Sequence, residues 1–333
     1  MSQDRILPGV VLLLAFCVLA PLLDVSSKLA AAAIPVGQIT AARFVVQGAL
    51  MLPVVLVMRL SWRVSPAILG LVSLRALFLI VSTYGFVAAV AVMPIADALA
   101  IVFFEPFIVM IVGHFLFGDS VGPRRIGASV VGFAGTMLVI QPSLALYGWV
   151  TLFPLGSAFA FAAYMLVTRA ISAAIHPVTM QLHTSIAGVV LCLPVLVLAN
   201  GSGLATLDPV LPQGIFWLWL FGVGFWAALA HICMTYALKF APSATLAPLQ
   251  YLEIIVAVAL GYLVFGDFPN ALTWAGIVLI VASGLYLIYR EQVVARRLRS
   301  RTATASPAPA HPAPHPAGRV PAPPASPARQ RAG

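Results

Sequence analysis

Ten apolar segments, each near the length a helix needs to cross a bilayer, follow one another along residues 7–289. They fall at about 7–30, 37–58, 67–91, 94–116, 125–141, 148–169, 178–199, 213–239, 242–265 and 269–289. About 20 apolar residues rising 1.5 Å each cover a hydrocarbon core of about 30 Å. The connections are short, and most hold proline, glycine or a charge, as at 118–125 and 199–212. Only 8% of the residues are charged and 62% are hydrophobic, whereas a soluble domain carries about 25% charged residues. A water-soluble globule could not cover itself with so little polar surface. The expected fold class is an all-α polytopic membrane protein, with the lipid bilayer as its solvent.

The position of the charges says more than their sum of +9. With ten segments, alternate connections share a side. One side collects Arg5, Arg59, Arg63, Arg124, Arg125, Arg169, Lys239 and the arginines after 290, and the other holds at most Lys28 and Arg43. Such asymmetry puts both termini in the cytoplasm, and no folded basic domain is visible for nucleic acid. The small residues at 31–33 look like a signal-peptidase site, but Asp24 and Lys28 interrupt the apolar run before them, so the first segment reads as a retained helix. Cys17, Cys192 and Cys233 lie singly in apolar runs, without metal-ligand spacing, and no cofactor is expected. Residues 291–333 read as a disordered, Ala/Pro-rich, basic cytoplasmic tail.

One stretch occurs twice. FFEPFIVMIVGHFLFGD at 103–119 aligns without a gap on YLEIIVAVALGYLVFGD at 251–267, an offset of 148 residues. Glu105 falls on Glu253, Gly113 on Gly261, and the Phe-Gly-Asp at 117–119 on that at 265–267. Upstream, Pro94 and Ala96 match Pro242 and Ala244; downstream, one insertion brings Gly127 and Gly135 onto Gly276 and Gly284. The chain thus divides into copies at 1–142 and 143–290. Five segments is an odd number, so the second copy must be inverted in the membrane, a recurring plan for secondary transporters. Each glutamate lies 11 residues past its helix-opening proline, a rise of about 16 Å, which brings both near the midplane. Asp119 and Asp267 end on opposite faces as polar stops. A midplane acid costs about 2.5–3.5 kcal/mol on insertion scales and must face protein or water. Two readings stay open: cavity-lining acids that bind cargo or carry a proton, or neutral packing groups. Glu105 is the stronger candidate for a cavity role, because Pro106 removes a backbone donor.

Asp24 and Lys28 share one face of the first helix. Lys28 and Arg43 are long enough to snorkel to the outer interface, and Arg75 is expected at the inner rim. His114, His183 and His231 stand alone, without metal spacing. Aromatic candidates for a cavity are Phe16, Tyr84, Phe103, Phe104, Tyr164, Trp226 and Tyr251. Glycines at 127, 132, 135, 276 and 284 indicate close helix contact, inside one chain or across a homodimer.

PLLDVSSKLAAAAIPVGQITAARF at 21–44, AVMPIADALAIVFFEPF at 91–107, YALKFAPSATLAPLQYLE at 236–253 and both Phe-Gly-Asp stops resemble the drug/metabolite transporter superfamily with two EamA-type repeats. Asp24, Lys28, Pro35, Gln38 and Arg43 also resemble its S-adenosylmethionine-uptake-like branch, beside amino-acid exporters. The resemblance covers residues 5–290. It implies a basket in which the first, third, fourth, sixth, eighth and ninth helices surround a central cavity. Asp24, Glu105, Trp226, His231 and Glu253 would then stand on cavity helices, and Arg43 and His183 on peripheral ones. The expected function is alternating-access transport of a small polar or zwitterionic metabolite, an amino acid or a derivative, across a bacterial inner membrane. S-adenosylmethionine-like or organic-cation cargo is the alternative, and proton coupling through the midplane acids is open. The expected binding set is Asp24, Lys28, Tyr84, Phe104, Glu105, Tyr164, Trp226, His231, Tyr251 and Glu253. No Walker motif, Gly-x-Gly-Asp or Gly-x-Ser-x-Gly occurs, which argues against ATP use and against an intramembrane enzyme. A membrane scaffold acting through the tail is the remaining rival.

Overall fold

The structure, a computed structural model, describes residues 6–117, 123–171, 174–240 and 250–304. Among these residues the chain is helical, without a strand. The helices are α1 (Ile6–Ala30), α2 (Val36–Val57), α3 (Pro66–Val90), α4 (Ile95–Val102), α5 (Glu105–Phe117), α6 (Pro123–Tyr147), α7 (Leu152–Ile171), α8 (Pro177–Ala199), α9 (Phe216–Phe240), α10 (Glu253–Phe265) and α11 (Ala271–Thr304). Among the described residues, seven helical runs are long and apolar enough to cross a membrane. One of them, Ile126–Ile171, holds 46 residues, broken by a single 3-10 turn at Gly148–Thr151 where Gly148 has φ +64°. Expectations placed on Asp119, on the proline opening the ninth segment and on the chain beyond 304 lie outside the described residues.

The helices are apolar all round because both their surroundings are apolar. Leu198 and Val57 are 85% and 83% exposed, which suits a side chain meeting lipid rather than water. The polar residues that do sit inside these helices mostly return to their own backbone. Ser26, Ser27, Thr40, Thr136 and Ser185 each donate to the carbonyl four residues back, which satisfies them locally. One sequence boundary moves. The last helix continues to Thr304 instead of ending near 290. The segment after 290 is rich in good helix formers and meets no proline before Pro307.

The glycines expected at close contacts are used inside one chain. Gly135 of α6 faces Gly276, Leu279 and Ile280 of α11, and a β-carbon at Gly276 would stand 2.6 Å from the Gly135 carbonyl oxygen. Gly132 admits the Phe107 ring, and Gly284 lies directly under Tyr251. Gly127, by contrast, has open space around it.

Arg75 ties three helices together. It is 1% exposed, not at the rim where its place in the sequence suggested. Its guanidinium donates to Thr168 and Tyr164 of α7 at 2.8 and 2.6 Å, to Gln181 of α8 at 3.1 Å, and to Thr184. The Tyr164 ring lies 4.3 Å beneath it. Only arginine has a planar fork with enough donors for these acceptors.

Two substitutions test this packing. Gly276→Leu is expected to lower the thermal stability of the detergent-solubilised protein by about 1–3 kcal/mol, as overpacking does, while Gly127→Ala leaves it unchanged or raises it. Arg75→Lys is expected to cost at least about 2 kcal/mol in the same melt, because an ammonium cannot meet the set of acceptors and leaves some buried and unpaired.

Candidate functional site

Both copies of the repeated stretch break their helix at the same place. In the first, α4 ends at Val102, Phe103 and Phe104 form a turn, and α5 begins at Glu105. Pro106 lacks the N–H that would bond to Val102 and crowds that carbonyl, so the helix must yield there. In the second, Tyr251 and Leu252 form the turn and α10 begins at Glu253. Ile254 stands where the first copy has proline, so this break has no local cause at that position. It coincides with tertiary contacts: Tyr251 packs over Gly284 and meets Phe103 edge-on, ring centroids 5.5 Å apart. Each glutamate therefore opens a half-helix, where unpaired N–H groups and the helix dipole favour a negative charge.

The two half-helix starts face a cavity of about 140 Å³. Glu105 and Glu253 line it with Asp24 of α1, His231 of α9 and Tyr251. Further walls come from Phe16, Phe86, Phe103 and Phe161, and from Ser82, Thr83, Ser157 and Gln250. Asp24 and Glu253 are 8% and 7% exposed. Neither of them, nor Glu105, has an ion-pair partner among the described residues. Among those residues no group of three or more His, Cys, Asp or Glu is gathered to hold a metal.

Arg43 also lines this cavity, which overturns two expectations about it. It neither snorkels outward nor stays peripheral: it is 5% exposed, and its guanidinium reaches in from α2. Nη1 donates to Thr83 of α3, and Nη2 lies 2.6 Å from Nε2 of His231. A guanidinium only donates, so His231 Nε2 accepts and its proton sits on Nδ1. Nδ1 lies 3.2 Å from the Tyr164 hydroxyl, which in turn takes a hydrogen bond from Arg75. Two arginines are thus joined through a neutral histidine and a tyrosine, with no carboxylate in the chain of contacts.

A second cavity, about 880 Å³, adjoins the first. Phe16, Phe161 and His231 line both. Tyr164 lines the larger one, which extends to the exposed Arg169 and Ala174 at the end of α7.

Four of the expected binding residues lie elsewhere. Lys28 sits where the C-terminal ends of α3 and α10 converge. Its ammonium pairs with Asp267 at 2.6 Å, donates to the Met93 carbonyl at 3.0 Å, and stands 4.7 Å from the Phe265 ring centre. Asp267 is held there by the Phe-Gly-Asp stop. Gly266, at φ +73°, donates to Tyr262, and Asp267 donates to Gly261, the bond pattern that ends a helix through a left-handed residue. Tyr84 packs with Ile34, Ile39 and Val223. Phe104 packs against Phe107 and Phe133, and Trp226 against Phe225. His183 bonds back to Thr179 of its own helix. Arg43, Thr83, Ser82, Ser157 and Gln250 were absent from the expected set. The run Asp24, Lys28, Pro35, Gln38 and Arg43, noted for its resemblance to one branch of the superfamily, is a signal that could have drawn Arg43 into the set.

Residues 7–141 and 148–290 each match the model of the EamA-like transporter family. Among similar proteins, one named a riboflavin transporter, from Rhizobium johnstonii, is 30% identical over 205 residues, 62% of this chain and 65% of the relative. The chain thus aligns with about two thirds of that relative's length. An S-adenosylmethionine uptake transporter of Rickettsia felis is 24% identical over 219 residues, 66% of this chain and 71% of the relative. One solved structure, described only as the crystal structure of a protein, superposes with a TM-score of 0.62 at 20% identity, over 90% of this chain and 99% of its own; that likeness speaks for the fold alone. With two matched repeats covering most of its length, the chain belongs to the EamA-like transporter family, within the drug/metabolite transporter superfamily.

Proposed function

We propose that this family member carries a small polar or zwitterionic metabolite, an amino acid or a derivative, by alternating access across a bacterial inner membrane. The proposed frame has ten helices in two inverted five-helix repeats, with both termini cytoplasmic. The observation that carries the reading is the pair of helix breaks at equivalent positions. Broken helices that aim their ends at a shared cavity are how transporters bind cargo inside a membrane. Contact between Phe103 and Tyr251, residues matched by the repeat, supports a two-fold axis running through that cavity.

In this reading Asp24, Glu105 and Glu253 receive the cationic end of the cargo. Phe16, Phe86, Phe103, Phe161 and Tyr251 surround its apolar or aromatic body. The three carboxyls and the Rickettsia relative's name favour S-adenosylmethionine-like or organic-cation cargo as the second reading. Access alternates because one end is latched. Lys28 and Asp267 join α1 of the first copy to the stop after α10 of the second, at the end expected to face outward, and the larger cavity extends toward the other end. His231, with Phe16 and Phe161, forms the partition between the two spaces.

Reconstituted protein is expected to take up one member of a panel of amino acids, S-adenosylmethionine, organic cations and riboflavin. Glu105→Gln should cut that uptake at least about 10-fold, a difference of about 1.4 kcal/mol, and remove any sensitivity to a protonophore. Full uptake in Glu105→Gln, with the same protonophore response, would sink the role given to the acids. The latch is tested separately. Asp267→Asn is expected to speed labelling of a Leu23→Cys probe from the outer side about 5-fold, the effect of about 1 kcal/mol. Swapping the charges of Lys28 and Asp267 should restore the slower rate, and an unchanged rate in Asp267→Asn would show that the pair is no latch.

A further inference from the structure

We infer that Arg43, framed by Thr83 and His231, is a binding site for the carboxylate of the cargo. The inference rests on the transport reading above and fixes a chemical feature that it left open. It begins with an imbalance. Arg43 is nine-tenths buried, yet no carboxylate lies within ion-pair distance of it among the described residues. Among the described residues its hydrogen-bond partners are a hydroxyl and a histidine nitrogen, both neutral, and its buried Nε has no partner there. A buried cation without an ion pair is costly, and the cost falls when an anion arrives in contact with it. The guanidinium borders the same cavity as the three acids, and each Nη carries two hydrogens, one beyond its bond to Thr83 or His231.

The geometry also explains why Arg43 has not simply collapsed onto Asp24. Thr83 on α3 and His231 on α9 hold two of its nitrogens in place. His231 is in turn oriented by Tyr164 and, through it, by Arg75. The fork is therefore preorganised, without an ion pair among the described residues. A carboxylate suits such a fork because it can accept two parallel N–H bonds. Acids and arginine bordering one cavity match the two ends of an α-amino acid: the ammonium toward Asp24, Glu105 and Glu253, the carboxylate toward Arg43.

The experiment compares probes that differ by one carboxylate. Binding to the purified full-length protein is measured for S-adenosylmethionine against its decarboxylated form, and for L-phenylalanine against phenethylamine. The carboxylate-bearing member of at least one pair is expected to bind about 10-fold more tightly. Arg43→Gln should abolish that preference, weakening the acid while leaving the amine within about 2-fold. Arg43→Lys keeps the charge without the fork and should retain part of the preference; it also serves as the readout should Arg43→Gln not fold. A merely structural arginine would weaken both members of a pair alike, and that result overturns the inference. Equal binding of acid and amine by the unaltered protein overturns it as well, while leaving amine transport standing. Binding of no probe in either pair removes both the inference and the zwitterion reading beneath it.

Discussion

Hydrocarbon offers no hydrogen bonds, so a helix can break inside it only where protein or a wet cavity takes over the freed backbone groups. That constraint organises this molecule. Among the described residues the chain leaves the helix after Val102 and again before Glu253, and both turns open on one cavity. Everything around them follows from making the breaks tolerable. The half-helix starts carry acids that complement their dipoles. Phe103 and Tyr251 cover the turns by packing on one another, and Tyr251 finds room only because position 284 is glycine.

The same constraint governs the cations. Lys28 spans to a residue 239 positions away, where carbonyl ends and a carboxylate await it. Arg75 is fully enclosed by hydroxyls, an amide and an aromatic face, with every nitrogen in use. Arg43 differs from both in keeping a buried donor unused at the cavity wall. One cation is ion-paired, one is fully hydrogen-bonded, and one keeps a nitrogen without a partner among the described residues. The His231–Tyr164 pair links the last two, so a displacement at the cavity wall would be felt between α3, α7 and α8.

Much of this was legible in the sequence, and the limits were physical ones. Apolar length gave the helices, and the doubled Glu…Gly…Phe-Gly-Asp stretch marked the repeat and the two acids; the continuous fourth segment expected at 94–116 is instead interrupted before Glu105, where Pro106 removes a backbone donor. The family resemblance implied cavity helices for Asp24 and His231, and both line the cavity. Side-chain reach could not be read that way. Arg43 was judged by the position of its helix, while its guanidinium extends across to α3 and α9. Lys28 was judged by its neighbour Asp24, while its partner lay in the other copy of the repeat. Tyr84, Phe104 and Trp226 looked equivalent to Phe16 and Phe161 because aromatic residues in membrane helices carry no mark of which way they face. The second helix break, lacking a proline where the first has one, depends on contacts that only folding brings together.

The central claim is that cargo passes through the space between the two breaks. A cysteine at position 20, on the wall of that cavity, tests it most directly in a chain whose Cys17, Cys192 and Cys233 are replaced by alanine. A small cationic thiol reagent should modify Ala20→Cys, the modification should stop transport, and the transported compound should slow the labelling by at least about 5-fold, as occupancy of a shared space requires. Transport that continues at full rate with this position completely modified would contradict the account.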